Sequence, residues 1–143
     1  MRYLAPLAAL LLVSCNPMAG EDAAPVVAPI LTSEQAFDEF TYARPQEARV
    51  SHVALDLVLN FDKKLVEGTA TLDVVAAEGA KEIVLDSNGL SITHVTDGEG
   101  AELAWELGDS VAEKGAPLTI SFAETDGAVT APERILITYA SAP

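Results

Sequence analysis

Two pairs of histidine and aspartate are the residues whose types and spacing first suggest chemistry. His52 and Asp56 lie four residues apart in a run of alternating polar and apolar residues, so on a strand both side chains share one face and could reach one ligand. His94 and Asp97 form a weaker pair, because Asp97 also opens a glycine-containing turn. A histidine and an aspartate on a polar strand face are usually solvated or paired across strands. We therefore predict no metal site at either pair.

The segment Asp97-Gly98-Glu99-Gly100 offers two carboxylates among glycines and is the other candidate for a cation. Calcium takes about six to eight oxygen ligands, which is more than this segment supplies. A hairpin loop accounts for the same residues without any ion. We favour the loop.

Nucleophiles and cofactor loops offer no further candidate. Ser110, Ser121 and Ser141 lack the G-x-S-x-G context, and the single cysteine, Cys15, lies near the N-terminus, away from either histidine. No glycine-rich phosphate loop is present, and Trp105 alternates with leucines, which favours a core position over a sugar-binding platform. The sequence thus predicts no catalytic, metal-binding or substrate-binding residue in this chain.

The charge balance narrows the classes of partner. The 143 residues include 8 Lys and Arg against 22 Asp and Glu, a formal net charge of −14. An acidic surface repels nucleic-acid phosphates and anionic lipid headgroups. We expect no nucleic-acid partner.

The N-terminus has the pattern of an export signal. Arg2 precedes an apolar run over residues 3–13, which is shorter than the roughly 20 residues of a transmembrane helix. Residues 1–14 therefore read as a signal peptide and are excluded from the fold. The alternative to a lipoprotein signal is an ordinary signal peptide that is cleaved after Ala19, and Cys15 would then be absent from the mature protein.

The end of this run, Leu12-Val13-Ser14-Cys15, resembles the lipobox of bacterial lipoproteins. The resemblance implies that Cys15 is acylated and becomes the mature N-terminus. Asn16, in place of an aspartate, implies the outer membrane. We expect an exported protein, lipid-anchored to the bacterial cell envelope on its periplasmic face or surface.

The residues after the signal divide into a tether and a domain. Residues 15–33 combine the Cys15 anchor with an Ala- and Pro-rich stretch, typical of a flexible tether. Ser33 as N-cap favours a short helix over residues 33–40, ended before Pro45. Residues 34–143 form the predicted domain.

The domain begins with two runs of period two, residues 53–61 and 66–74, joined by Asp62-Lys63-Lys64. This pattern predicts a long antiparallel hairpin with one buried apolar face. Burying the five apolar side chains of the first run would contribute roughly 7–15 kcal/mol as an upper bound. Gly68 predicts a bulge or a close backbone approach. The five side chains are Val53, Leu55, Leu57, Leu59 and Phe61.

Five shorter strands follow, separated by turn residues, and together they predict an all-β fold, an antiparallel β-sandwich or saddle-shaped sheet. Pro117 is expected in the turn before its strand, because proline cannot donate to a ladder. The predicted strands are residues 82–85, 90–96, 101–107, 118–122 and 134–139.

Residues 38–140 resemble the N-terminal β domain of the zinc aminopeptidases of the aminopeptidase N and leukotriene hydrolase family. The resemblance implies that this domain braces a catalytic domain of the same parent protein and helps to enclose the cleft for peptide substrates. The segments that carry it are YARP at 42–45, VSHVALDL at 50–57, NFDKK at 60–64, GTA at 68–70, IVLDSNGLSI at 83–92, the Gly108-Asp109 pair and KGAPLTI at 114–120.

In that family, zinc is bound by an H-E-x-x-H helix of the catalytic domain, and this chain has two histidines and no such motif. The resemblance therefore implies zinc in the parent protein, no cofactor here, and no peptidase activity from this chain alone. It also implies a truncated domain, with unpaired strand edges and exposed apolar surface. The alternative is a free-standing lipoprotein that uses a β-sandwich as a binding or scaffold module.

Overall fold

The computed structural model describes residues 38–141, and within them the chain is all-β, as predicted. No helix in this range has the length and apolar character needed to cross a membrane. The predicted signal peptide, the Cys15 anchor and the tether lie outside the described residues. The strands are β1 (Ala48–Asn60), β2 (Leu65–Ala76), β3 (Glu82–Ser87), β4 (Leu90–Asp97), β5 (Trp105–Leu107), β6 (Ala116–Ser121), β7 (Ala123–Thr125), β8 (Ala128–Thr130) and β9 (Arg134–Ser141).

The large sheet has the strand order β1-β2-β9-β4, with every neighbouring pair antiparallel. The hairpin of β1 and β2 is the one that the alternating runs predict. Its register places Leu57 opposite Gly68 and Asn60 opposite Leu65. The turn between these strands includes Lys64 at a φ of 52°, and the Asn60 side chain accepts a 3.0 Å hydrogen bond from the Lys63 amide.

The small sheet has the order β3-β6-β5, and a separate hairpin joins β7 to β8. This last hairpin was not predicted, although Asp126-Gly127 is a typical turn sequence. Asp126 and Gly127 both have positive φ, 54° and 79°. This is the pattern of a type I′ turn, which favours Asp-Gly between two short strands.

The core lies between the large and small sheets. Ile83 and Ile120 from the small sheet meet Val95 and Ile135 from the large one, and all four are at most 1% exposed. Trp105 packs against this cluster, as its alternation with leucines predicted. The remaining buried members of the cluster are Ala48, Leu72, Leu103, Leu118, Phe122 and Ile137.

A strap formed by residues 41–47 crosses the outer face of β3. The Asp86 carboxylate accepts hydrogen bonds from the Thr41 hydroxyl and, at 2.8 Å, from the Tyr42 amide. Arg44 forms an ion pair with Glu82. Val84 lies between Glu82 and Asp86 on the same strand face and is buried. The strap therefore covers the outer side of β3 before the chain enters β1.

Two local predictions are wrong. Residues 38–40, the described end of the predicted 33–40 helix, form a turn in which the Asp38 carboxylate accepts a 2.9 Å bond from the Phe40 amide. Pro117 lies inside β6 rather than before it, opposite Asp86. Proline is tolerated here because β5 ends at Leu107, so its missing N–H costs no hydrogen bond to that strand. The Pro117 carbonyl still accepts a 2.9 Å hydrogen bond from the Gly108 amide.

Candidate functional site

The most distinctive surface of the described chain is the apolar side of the β1–β2 hairpin. We call it the hairpin face and define it as Val53, Leu55, Leu57, Leu59, Val66, Gly68 and Ala70. The register places these residues on the same side of the large sheet as the buried Leu72 and Ile137. The hairpin face therefore continues the core side of the sheet past the area that the small sheet covers.

The small sheet does not reach the β1 half of this face. Leu55 is 58% exposed, Leu59 55% and Val53 51%, and Leu57 is 38% exposed. Phe61, at the start of the hairpin turn, is 84% exposed. The prediction that these five side chains are buried is wrong within the described residues. The prediction of exposed apolar surface is confirmed.

Leu57 is the least exposed of the five because it lies across from Gly68. A Cβ on Gly68 would stand 2.8 Å from the Leu57 Cδ2 and 2.1 Å from the Asp56 carbonyl oxygen. The predicted close backbone approach is therefore confirmed at Gly68. The bulge is elsewhere: the β1–β2 register shifts between Val50 and His52, so Ser51 is the extra residue.

The opposite side of the hairpin carries the first predicted pair. His52 and Asp56 share this polar face, four residues apart, and both are exposed. The residue across from His52 is Asp73, whose carboxylate is held by the Arg134 Nε at 2.9 Å. Within residues 38–141 no group of three or more His, Cys, Asp or Glu side chains is arranged to hold a metal ion.

The second pair and the candidate calcium loop have other partners. His94 Nδ1 lies 3.6 Å from Glu102 Oε1, and both side chains are about two-thirds exposed. Asp97 Oδ1 accepts hydrogen bonds from the Glu99 and Ala101 amides, each at 2.9 Å. The Asp97 carboxylate thus shapes the hairpin turn, as predicted.

The remaining candidates do not converge on a reactive centre. The Ser141 hydroxyl accepts a 3.0 Å bond from the Val66 amide and ties the end of β9 to β2. Ser110 and Ser121 are exposed on separate elements. An open cleft of about 890 Å³ lies beside Arg134, lined by carboxylates that include Asp97 and Glu133. Arg134 is already engaged by Asp73, so the cleft offers no free cation to oppose these acids.

Sequence reasoning missed one feature of the hairpin, which is the position of β1 in the sheet. In the described part of the chain β1 pairs only with β2, so one side of its 13 residues has no strand beside it. Alternation identifies a strand and its two faces, but strand order depends on contacts between distant segments.

Comparison with known proteins relates the chain to aminopeptidases. It is 32% identical over 83 residues to "Leucine aminopeptidase 2" of Candida albicans, a stretch that covers 58% of this chain and 13% of that protein. No family model matches the chain.

Solved structures show the same fold. Leukotriene A4 hydrolase from Saccharomyces cerevisiae superposes with a TM-score of 0.62 at 16% identity over 82% of this chain and 19% of that one. An M1 zinc metallopeptidase from Deinococcus radiodurans, solved with a Tyr-Ser-Ala substrate, gives a TM-score of 0.50 at 22% identity over 68% of this chain and 21% of that one.

The chain therefore spans about a fifth or less of the length of the proteins it matches. At this level the predicted resemblance is confirmed: the described domain is similar to the N-terminal region of M1 aminopeptidases.

Proposed function

We propose that this chain is the non-catalytic N-terminal β domain of a membrane-anchored zinc aminopeptidase. In this role the hairpin face packs against the catalytic domain and helps to shape the cleft that admits the N-terminus of a peptide. The observation that carries the proposal is the hairpin face itself. It belongs to a domain whose fold is similar to part of leukotriene A4 hydrolase from Saccharomyces cerevisiae, and its apolar side chains extend past the small sheet into solvent.

The size and chemistry of the hairpin face fit a protein partner. Exposed apolar residues scattered singly need no explanation, whereas a contiguous patch marks an interaction surface. The four β1 side chains form one row, each between 38% and 58% exposed, and Phe61 follows in the turn with 84% exposure. Fully burying a side chain of this size contributes about 1.5–3 kcal/mol, so covering the row offers a large driving force for docking.

The row also lacks charged side chains, as expected for the centre of a protein–protein interface. The charged groups of β1, Arg49 and Asp56, are not part of the hairpin face. The acidic character of the chain therefore lies outside this surface, and an apolar partner surface meets no buried charge when it docks.

The described residues of this chain do not fit a zinc site. His52 and His94 lie on different strands, and the His94 imidazole lies 3.6 Å from the Glu102 carboxylate. In the proposal, zinc and its chemistry belong to the catalytic domain. This chain contributes binding surface and orientation.

The anchoring part of the proposal depends on Cys15. Acylation there would hold the domain to the envelope, and the Ala- and Pro-rich residues 16–33 would space it from the headgroups. Mass spectrometry of the protein from its native membranes tests this directly. We expect an N-terminal Cys15 carrying acyl chains, and loss of membrane association in Cys15→Ala. An unmodified N-terminus beyond Cys15 contradicts the anchor.

The partner is tested with adjacent residues of one strand. Leu59 lies on the hairpin face and Val58 on the opposite face, with exposures of 55% and 65%. The full chain, affinity-tagged and expressed in its source cells, is isolated from solubilised envelopes, and co-purifying polypeptides are identified by mass spectrometry. We expect peptides of a metallopeptidase domain containing H-E-x-x-H, either on the same polypeptide or on a separate one.

If the two domains are separate polypeptides, Leu59→Lys should lower the amount of metallopeptidase that co-purifies. If they lie on one polypeptide, Leu59→Lys should make the contact between the domains less resistant to urea. Val58→Lys should have neither effect. Recovery of the chain without any metallopeptidase sequence contradicts the proposal. Equal behaviour of Leu59→Lys and Val58→Lys contradicts the assignment of the face. Recovery of an unrelated envelope protein would support the free-standing scaffold instead.

A further inference from the structure

The open edge of β1 has the features of a strand that pairs with a second copy of itself. In the described structure β1 is the terminal strand of the large sheet. Proteins usually protect such edges with lysine, proline or inward-pointing charge. Residues 51–57 contain neither lysine nor proline, and the side chains on the core side are the apolar Val53, Leu55 and Leu57.

The backbone at this edge is oriented for pairing. The Asp56 carbonyl lies next to the Gly68 position, so it points towards β2. Backbone groups of a strand alternate in direction from one residue to the next. Those of Val53, Leu55 and Leu57 therefore point to the open edge, where each presents an N–H and a C=O to an incoming strand.

We propose that the protein forms a symmetric dimer through antiparallel pairing of β1 with the β1 of a second copy, centred on Ala54. A two-fold axis at this point is perpendicular to the sheet, so like faces of the two copies lie on the same side. Val53 then pairs with the partner's Leu55 through mutual backbone hydrogen bonds. The two large sheets become one, and the two hairpin faces become continuous.

The His52 and Asp56 side chains favour this register over its neighbours. Centring on Ala54 places His52 opposite the partner's Asp56, and by symmetry the same contact forms twice. Centring on Asp56 places two carboxylates opposite each other, and centring on Val53 or Leu55 leaves Asp56 opposite an apolar residue. An imidazole N–H opposite a carboxylate can donate a hydrogen bond to it, whereas like charges directly opposite each other are unfavourable.

Local geometry fits the same register. Because the backbone of even-numbered residues points to β2, Ala54 and the partner's Ala54 form a non-hydrogen-bonded pair. Side chains in such pairs lie closest, with Cα atoms about 4.5 Å apart. Alanine fits this approach at the axis. The bulge at Ser51 ends the regular ladder, which limits the paired segment to residues 51–57.

This inference does not rest on the proposed aminopeptidase role, because it uses the edge of β1 rather than the hairpin face. A partner seated on the face leaves the edge free. If the chain is anchored at Cys15, confinement to a membrane raises its effective concentration and favours a short interface of this kind.

Disulfide cross-linking tests the register. The full chain carrying Cys15→Ser has no other cysteine, so an introduced thiol reports one position. Ala54→Cys places two Cα atoms within the 4.4–6.8 Å range of a disulfide. Val58→Cys is the matched control on the same strand and the same face. In this register, Val58 and the partner's Val58 are separated by roughly eight residues of strand, about 27 Å.

We expect oxidation in mild detergent to convert most of Ala54→Cys to a covalent dimer, and little of Val58→Cys. Equal cross-linking at both positions, or none at Ala54→Cys, overturns the proposal. Phe61→Ser, carried in both proteins, removes the most exposed residue beside the hairpin face and limits association through that surface.

Exchanging His52 and Asp56 tests the contact that favours this register. His52→Asp places two carboxylates opposite each other, Asp56→His places two imidazoles opposite each other, and the double variant restores both pairs with the two residues exchanged. Native mass spectrometry should show dimerisation weakened about tenfold in each single variant, with the double variant within about threefold of the parent. Single variants that dimerise like the parent, a double variant that stays monomeric, or a monomeric parent protein contradicts the proposal.

Discussion

Gly68 of β2 lies directly across from Leu57 of β1, and its missing side chain is what allows the two strands to approach as they do. A Cβ there would stand 2.1 Å from the Asp56 carbonyl oxygen and 2.8 Å from the Leu57 Cδ2. Both distances are shorter than van der Waals contact. The nearer obstacle is backbone, which cannot rotate away as a side chain can.

Gly68→Ala should therefore destabilise the fold by about 2 kcal/mol, because the strands must separate locally to admit the methyl group. Urea denaturation of the full chain measures the free energy of unfolding. In the Leu57→Ala background the same substitution should cost nearly as much, because the Asp56 carbonyl remains in place. A neutral Gly68→Ala, or full rescue by Leu57→Ala, would show that the strands adapt without strain.

The hairpin shows what alternation can and cannot predict. The alternation over residues 53–61 predicted the strand, and Gly68 in the second run predicted the close approach of the two backbones. Burial did not follow, because alternation distinguishes two faces without saying whether a second layer covers the apolar one. Ile135 and Leu55 lie on the same side of one sheet, yet Ile135 is fully buried and Leu55 is 58% exposed.

Truncation of these two residues should give very different costs. Ile135→Ala removes buried methyl groups between the sheets and should destabilise the fold by about 2–4 kcal/mol. Leu55→Ala should cost under about 1 kcal/mol, because most of that side chain already contacts water. Denaturant unfolding of the two variants checks this contrast. Similar losses would mean that the hairpin face is covered within the chain.

The strap is a second feature that local patterns could not predict. Asp86 follows the V-L-D run of β3, and its partners Thr41 and Tyr42 are more than 40 residues earlier in the chain. The sequence shows an acid near a turn, but no periodicity connects it to a distant hydroxyl and amide. The β7–β8 hairpin differs, because Asp126-Gly127 is a strong turn signal, but its flanking strands have three residues each, too few to show alternation.

Asp86→Ala should release the strap from β3. The Thr41 hydroxyl and the Tyr42 amide both lose their acceptor, at a cost of about 1 kcal/mol for each hydrogen bond. Hydrogen exchange at the Tyr42 amide should become about fivefold faster, the factor that about 1 kcal/mol implies. Asp86→Asn retains one side-chain oxygen and should fall between the parent and Asp86→Ala. Unchanged exchange at Tyr42 in Asp86→Ala would show that other contacts, such as the Arg44–Glu82 ion pair and Lys114 over the Tyr42 ring, hold the strap.

Asp97 distinguishes a turn-forming carboxylate from a calcium ligand. Its Oδ1 accepts from the Glu99 and Ala101 amides, so Asp97→Ala should lower the free energy of unfolding by about 1–2 kcal/mol. Asp97→Asn keeps an oxygen at that position and should lose less than half as much. Added calcium at about 1 mM, within the affinity range of extracellular calcium modules, should leave the melting temperature of the parent unchanged. A calcium-dependent rise in melting temperature that disappears in Asp97→Asn would contradict the turn interpretation and identify an ion site in this loop.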